Sequence, residues 1–470
     1  MSITRKDRKE TQRERLLAGM LLASVRRGYA GANVAQVIAH AGVSRPTFYE
    51  YFADKSDCFL AVHQDISGHL IEMVREAVST EAPERALQTG VKALLMIAQA
   101  KPERAKFLVN ETLAGGQRAL DQRDQLIERI EQIIERARAQ APAQALTPDL
   151  PTRALLGGIC GGMLAPRLRR GEYDLADATE EICEWIESYN RPSAHHRWRT
   201  LDPGPSLRPS RHLSELALQP PAALPRGRSG LTPAEIARHQ RERLVHATAE
   251  VAADKGYAAA TIADITTAAS VDRRIFYAHF RDKQEAFLAA HELGFQQTMA
   301  VSASAFFSSE YWPERIWEGL HAGTHFNASY PVVAHIGYVE AYAVGTPAIQ
   351  RVDDSRAAFN IFVQEGYRHT SNPPSPAALD ALSATIFEIG YLHARKRQIE
   401  LLPRMTPHAA YLVLAPFLGP EKANDFIDAK LSEDQLPQAA PPWSGEENRV
   451  VRRARQGSMR DAVPVVGADA

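Results

Sequence analysis

Two arginines in matching surroundings, Arg45 and Arg273, each open a short run of helix-forming residues just after a tight turn. A guanidinium presents its donors in a planar fork that can make two hydrogen bonds to the edge of a guanine, discriminating that base by roughly 1 to 3 kcal/mol. Thr47 follows Arg45 closely and Arg274 follows Arg273, so each run offers a second polar side chain to the same groove. Tyr49 and Tyr277 combine a ring that can pack inward with a hydroxyl that can reach a phosphate. Lys55 and Lys283 each follow an aspartate, Asp54 and Asp282, able to cap a helix. They therefore sit where the free amides of a helix N-terminus already favour a phosphate. The chemistry on offer is recognition of base edges and backbone of a nucleic-acid duplex. A solvated helix end at the arginines and core tyrosines at Tyr49 and Tyr277 are the competing readings.

Such side chains must be held by a helix-turn-helix. Asn33 precedes VAQVIAHA with Gln36 three residues on, and Thr261 precedes IADITTAA with Asp264, both in the pattern of an N-terminal capping box. Gly42-Val43-Ser44 then makes a turn in which glycine can take a positive φ, Ser44 can cap the next helix, and Pro46 is tolerated in its first turn. Ser270-Val271-Asp272 occupies the same place in the second copy. The following helix, residues 45–51 or 273–279, is about two turns long and stable only when packed, a task for Phe48, Phe52, Phe276 and Phe280. Its first turn is left free to enter a major groove about 12 Å wide. The DNA-contact candidates are thus Asn33, Ser44, Arg45, Thr47, Tyr49 and Lys55 in one module, and Thr261, Arg273, Arg274, Tyr277 and Lys283 in the other.

These modules are one sequence used twice. From Gln12 and Gln240 onward, about 22 of 52 positions are identical without a gap. Copies this far apart cannot be a stacked solenoid, whose period is at most roughly 50 residues, so a domain has been duplicated. The 470 residues carry 45% apolar and 24% charged side chains, ordinary for a globular chain of two to four domains. Net charge is only −1, but the first 27 residues hold eight basic side chains against three acidic, so positive charge is concentrated beside the first module. Cys58, Cys160 and Cys183 are odd in number and lack metal-ligand spacing, which argues against a disulfide framework or bound zinc and fits a reducing interior. The longest apolar stretch, residues 154–166, is too short to span a bilayer, and a cytoplasmic protein is expected.

GYAGANVAQVIAHAGVSRPTFYEYF-ADKSDCFLAVH and GYAAATIADITTAASVDRRIFYAHF-RDKQEAFLAAH resemble the N-terminal domain of tetracycline-repressor (TetR) family transcription regulators over about fifty residues each. The resemblance implies an all-α chain of two tandem units, each a three-helix DNA-binding domain followed by a helical ligand-binding and dimerisation domain. It implies phosphate contacts for Tyr49, Tyr277, Lys55 and Lys283, and base contacts for the residues opening each recognition helix. The chain departs from the family where Ile38 and Thr266 stand at a position often occupied by alanine. It departs again in the second turn, which lacks glycine and adds Asp272.

The expected domains are 8–63 and 236–291 (helix-turn-helix), 64–190 and 292–434 (effector and dimerisation), a Pro/Arg-rich linker at 191–230 and a disordered tail at 435–470. In the second effector half Trp317, His321, His325, Tyr338 and Tyr342, with Phe326, recur at near-helical spacing as a candidate small-molecule pocket wall; an aromatic core, or a metal pair at His321 and His325, are alternatives. Met96, Phe107, Asn110 and Glu111 are weaker hints in the first half. GGICGGM within residues 154–166, and residues 406–418, read as dimerisation helices. Glycine-rich nucleotide-loop, hydrolase and metalloprotease signatures are missing, so no enzyme activity, cofactor or metal is expected. The expected function is a ligand-responsive repressor binding a double-stranded DNA operator, as an intrachain pseudo-dimer or a homodimer. The alternative makes one half, the second by preference, a ligand or protein-interaction module without DNA binding.

Overall fold

The structure, a computed structural model, describes residues 5–192, 206–213, 230–370 and 373–434. The tail expected at 435–470 and most of the linker expected at 191–230 lie outside them. The first unit runs α1 (Arg5–Gly31), α2 (Val34–Ala41), α3 (Arg45–Tyr51), α4 (Lys55–Ser79), α5 (Ala86–Ala100) and α6 (Pro102–Lys106). A π-helical turn, Phe107–Glu111, prolongs α6, and α7 (Gln117–Arg138) follows. Then come α8 (Thr152–Gly158), carried through a π-helical turn Ile159–Leu164 into α9 (Ala165–Arg170), and α10 (Ala176–Glu187). The second unit repeats the order as α11 (Pro233–Lys255), α12 (Ile262–Ala269), α13 (Arg273–His279), α14 (Lys283–Phe306), α15 (Trp312–Ser329), α16 (Pro331–His335) with a π-helical turn Ile336–Glu340, α17 (Ala341–Val344), α18 (Thr346–Gln364), α19 (Pro376–Arg395), α20 (Thr406–Leu418) and α21 (Pro420–Asp434). The all-α expectation holds with one small exception. Leu146–Pro148 and Asn190–Pro192 pair as a two-stranded antiparallel ladder that ties the end of the first unit to its own α7–α8 loop.

The two units pack on each other through reciprocal contacts. Asp124 lies eight residues after Gly116, which caps α7, and Asp353 lies eight after Gly345, which caps α18. Arg395 Nε donates to Asp124 at 3.1 Å, and Arg169 pairs with Asp353 in return. Arg169 and Arg395 each precede by two residues a left-handed position, Gly171 (φ 79°) and Arg397 (φ 52°). Residue i on one unit meeting j on the other, and j meeting i, marks a twofold interface. The glycines of GGICGGM make it close. A Cβ on Gly158 would sit 2.5 Å from the Thr385 amide nitrogen, and one on Gly162 would overlap Ala384, so α8 and its π turn lie against the backbone of α19. Tyr189, fully buried, donates its hydroxyl to the Leu412 carbonyl on α20 at 2.6 Å. The halves therefore pair within one chain.

Segment 206–213 is also docked rather than loose. Ser206 accepts from Arg404 at 2.7 Å, Leu207 is buried, and Leu213 packs against the cluster of Val301, Ala305, Ala322 and Phe326.

Two histidines at matching positions of the repeat, His63 and His291, are buried, and desolvation pulls both imidazoles down to about 4. An unfolded histidine titrates near 6.5, so between those values the unfolded chain binds protons that the folded chain refuses. Stability is thus fully present above about pH 6.5 and falls as pH drops toward 4, by up to about 3 kcal/mol per histidine. Urea unfolding at pH 7 and pH 5 checks this, and His63→Gln is expected to flatten the dependence.

Candidate nucleic-acid interface and effector cavity

Each reader is assembled by caps that the sequence announces. Asn33 Oδ1 accepts from the Gln36 amide at 3.0 Å while Gln36 Oε1 accepts from the Asn33 amide at 3.1 Å. Thr261 and Asp264 repeat this at 3.1 and 3.0 Å. Ser44 accepts from the Thr47 amide at 3.3 Å to start α3, and Asp272 accepts from the Arg274 amide at 2.7 Å to start α13. Gly42 takes φ 60° and ψ 42° at the end of α2, as the turn requires. Ser270 takes φ 51° and ψ 47° in its place, a left-handed conformation that costs a non-glycine residue roughly 1 to 2 kcal/mol. Ser270→Gly is therefore expected to stabilise the second reader by about 1 kcal/mol in thermal or urea unfolding, whereas Gly42→Ser should destabilise the first.

α3 and α13 each bury only one side chain, Phe48 or Phe276, and leave the opening arginine exposed. Arg45 reaches the Tyr49 hydroxyl at 3.5 Å and lies over its ring at 5.8 Å; Arg273 meets Tyr277 at 3.2 and 5.6 Å. Asn33, Ser44, Thr261 and Arg274 are exposed beside them and Thr47 is half-buried, so each group of candidates forms one surface. The tyrosines are about half exposed, at 48% and 49%, and rest edge-on against Phe48 and Phe276 instead of packing inward.

The lysines depart from expectation. Lys55 Nζ donates to the Tyr29 carbonyl at 2.9 Å and lies 4.1 Å from that ring's centroid. Lys283 Nζ donates to the carbonyls of Tyr257 at 2.7 Å and Ala260 at 2.8 Å and lies 4.3 Å from the Tyr257 ring. Burial lowers both ammonium pKa values. These cations bind carbonyls at the Gly28-Tyr29 kink of α1 and in the segment between α11 and α12, so each ammonium is engaged within its own reader.

Two features of the readers escaped the sequence. Arg15 donates to the Gly42 carbonyl and Arg243 to the Ala269 carbonyl, each at 2.9 Å, pinning the turn of each reader to its first helix. Both arginines stand within runs of charged residues, where nothing local marks them for a turn carbonyl.

Behind the first reader, α4, α5, α6 and α7 enclose a cavity of about 240 Å³. Its walls are apolar, with Leu70, Leu94, Ile97, Leu108, Leu126 and Ile130 among them, and the exposed His69, Lys101 and Arg104 rim it. Its inner end is closed by the other unit. Arg123 NH2 donates to both oxygens of Glu388 at 2.9 Å, with Arg123 4.6 Å from the Tyr391 ring centroid. Burial pushes the Glu388 carboxyl up, and Arg123 pulls it back. At the positions related by the pseudo-twofold stand Val352 and Gly162, so this buried ion pair exists once per chain. Cavities of about 130 and 90 Å³ occur in the second unit.

Of the five expected pocket residues, Tyr342 reaches across to line the first-unit cavity and Tyr338 lines the second-unit cavities of about 130 and 90 Å³. Trp317 is wholly buried. His321 Nε2 lies 3.0 Å from the Arg208 carbonyl oxygen and His325 Nδ1 lies 3.0 Å from the His321 carbonyl oxygen. Each ring thus has one nitrogen engaged with a backbone carbonyl, and no cluster of three or more metal-binding groups occurs among the described residues. In the first half Met96 is exposed, Phe107 packs tilted against Phe59 at 4.5 Å between ring centroids, and Asn110 donates to the Ala165 carbonyl at 3.3 Å.

Residues 24–62 and residues 244–290 each match the family described as "Bacterial regulatory proteins, tetR family". The chain carries two domains of the TetR family in tandem. It is 34% identical over 86 residues to the HTH-type transcriptional activator FasR of Mycolicibacterium smegmatis (strain ATCC 700084 / mc(2)155), covering 18% of this chain and 39% of that protein. This chain therefore spans well under half the length of that relative. Among solved structures, a TetR family transcription regulator from Marinobacter aquaeolei VT8 matches with 21% identity and a TM-score of 0.31, covering 37% of this chain and 95% of that one. The transcriptional regulator FadR from Bacillus subtilis, solved in complex with stearoyl-CoA, matches with 14% identity and a TM-score of 0.34, covering 37% and 97%. These structural likenesses add nothing to the assignment, which rests on the two TetR matches in sequence. No helix among the described residues is long and apolar enough to cross a membrane.

Proposed function

We propose that the chain is a ligand-responsive DNA-binding transcription regulator that reads one operator with both TetR units. The observation that carries this is the pair of exposed arginines, Arg45 and Arg273, opening two capped recognition helices on halves joined by reciprocal contacts. Because Ser44-Arg45-Pro46-Thr47 differs from Asp272-Arg273-Arg274-Ile275, the operator has unequal half-sites about one helical turn apart. The apolar cavity of about 240 Å³ is the effector site, and its occupant favours a spacing of the readers that no longer fits adjacent grooves. The regulator is then released by its ligand. It represses where the operator overlaps a promoter; the curated relative is named an activator, so operator placement rather than the fold sets the sign.

The test uses the full chain and a duplex it selects from a random pool, with 1-decanol as an apolar probe. Affinity at fixed salt is expected to fall at saturating probe; unchanged affinity with the probe bound by calorimetry removes ligand release. Asp272, exposed at the opening of α13, favours a second reading in which the second unit does not touch DNA, since a carboxylate at that helix start would repel phosphates. Protection of a single major groove by the full chain would select that reading.

A further inference from the structure

The joint between each reader and its effector domain contains the same unexpected bond. The amide of Tyr29 donates to Glu111 Oε2 at 2.7 Å, and the amide of Tyr257 donates to Glu340 Oε2 at 2.7 Å. Both tyrosines follow a glycine at positive φ, Gly28 at 74° and Gly256 at 79°, where the reader's first helix breaks. Both glutamates end a π-helical turn of the effector domain. A π turn adds a residue to the helix and redirects the side chains after it, a local feature often kept for function.

The tyrosine's other contacts are duplicated too. The carbonyl of the same tyrosine accepts from Lys55 or Lys283, and its ring packs on Phe59 at 4.5 Å or Phe287 at 5.1 Å. Tyr29 and Tyr257 are thus held at the amide by the effector domain and at the carbonyl by the start of α4 or α14. Glu111 is buried, and burial raises its carboxyl pKa against the pull of the Tyr29 amide, Lys106 and Arg169. A buried carboxylate is costly to keep unless its bonds are well made, so a single amide donor of this kind is a strong positional constraint.

Two paths arrive at Glu111. The segment it ends also supplies Lys101, Arg104, Ala105, Leu108 and Val109 to the effector cavity. Its neighbour Asn110 accepts from Arg169, the arginine that crosses to Asp353 of the other unit.

We propose that Glu111 and Glu340 are positioning residues that set the angle at which each reader leaves its effector domain, through one carboxylate-to-amide bond at the glycine-tyrosine joint. The inference rests on the reading of the first and second helical triplets as DNA readers. A shift of the cavity wall, or of the interface between units, reaches the first reader through Glu111.

Amide exchange and duplex affinity of the full chain test it together. The Tyr29 amide is expected to exchange slowly in the native protein and at least tenfold faster in Glu111→Ala, with specific duplex affinity reduced at least tenfold. Glu111→Gln keeps a carbonyl oxygen able to accept the same amide, so it is expected to restore both readouts to within threefold of native; a role limited to buried charge would not be rescued. Glu340→Ala repeats the measurement at the Tyr257 amide and decides the question should Glu111→Ala not fold. Fast exchange of the Tyr29 and Tyr257 amides in the native protein overturns the proposal, as does native duplex affinity in a folded Glu111→Ala. If the native chain prefers no duplex, the DNA reading fails, and exchange at Tyr29 in native and Glu111→Ala protein still judges the bond.

Discussion

Glu388→Ala is expected to destabilise the folded chain by about 3 kcal/mol, because it leaves a buried guanidinium with only the partly exposed Asp124 as counter-charge. Arg123 is almost wholly enclosed at the inner end of the cavity, with its NH2 on Glu388 and its NH1 on Asp124 at 3.1 Å. Removing one partner of such a pair costs far more than the pair contributes, since the remaining charge keeps its desolvation penalty and loses its compensation. Exchanging both partners for apolar residues of similar volume, Arg123→Met with Glu388→Met, is expected to cost little by comparison. Urea unfolding of the three proteins checks the pattern. A loss under about 1 kcal/mol in Glu388→Ala would mean that Asp124 or water reaching the cavity compensates the Arg123 guanidinium. The symmetry-related residues Val352 and Gly162 are apolar, so no substitution there should reproduce the effect.

Arg45→Ala is expected to weaken specific duplex binding by roughly 1 to 3 kcal/mol, mainly by relaxing base preference in one half-site. Arg273→Ala should act on the other half-site alone. The two changes lie on separate readers, each arginine on its own tyrosine, so their effects should add within about 0.5 kcal/mol. Binding of native and variant chains to duplexes mutated in each half-site checks this. Equal loss at both half-sites from either change would show that the arginines act on phosphates rather than on bases. A phosphate contact lowers the slope of log affinity against log salt, whereas loss of a base contact leaves it nearly unchanged. Lys55 is expected to differ from both. Its ammonium is spent on the Tyr29 carbonyl, so Lys55→Ala should act through reader stability more than through the salt slope.

The readers were largely legible in the sequence, because capping and turn chemistry are local. Asn33, Ser44, Thr261, Asp272 and Gly42 act on residues two to four positions away, and their spacing alone places α2, α3, α12 and α13. The glycines of GGICGGM were legible as a close helix contact because a missing Cβ has few other uses there. What stayed hidden depends on partners far along the chain. Lys55 finds Tyr29, Arg15 finds Gly42, Glu111 finds Tyr29 and Arg123 finds Glu388, and nothing local distinguishes these cations and carboxylates from solvated ones. His321 and His325 stayed ambiguous for the same reason: near-helical spacing of aromatic and imidazole groups fits a core as well as a pocket. Pairing of the halves within one chain likewise emerges only from reciprocal contacts such as Arg395 with Asp124 and Arg169 with Asp353.

The central claim is that a single chain presents two unlike readers to one duplex. Solution mass of the complex, combined with footprinting on the duplex the full chain selects, tests it most directly. One chain per duplex, protecting two adjacent major grooves of different sequence, is the predicted result. Two chains on a palindrome, or no preferred duplex at any salt concentration, would contradict it.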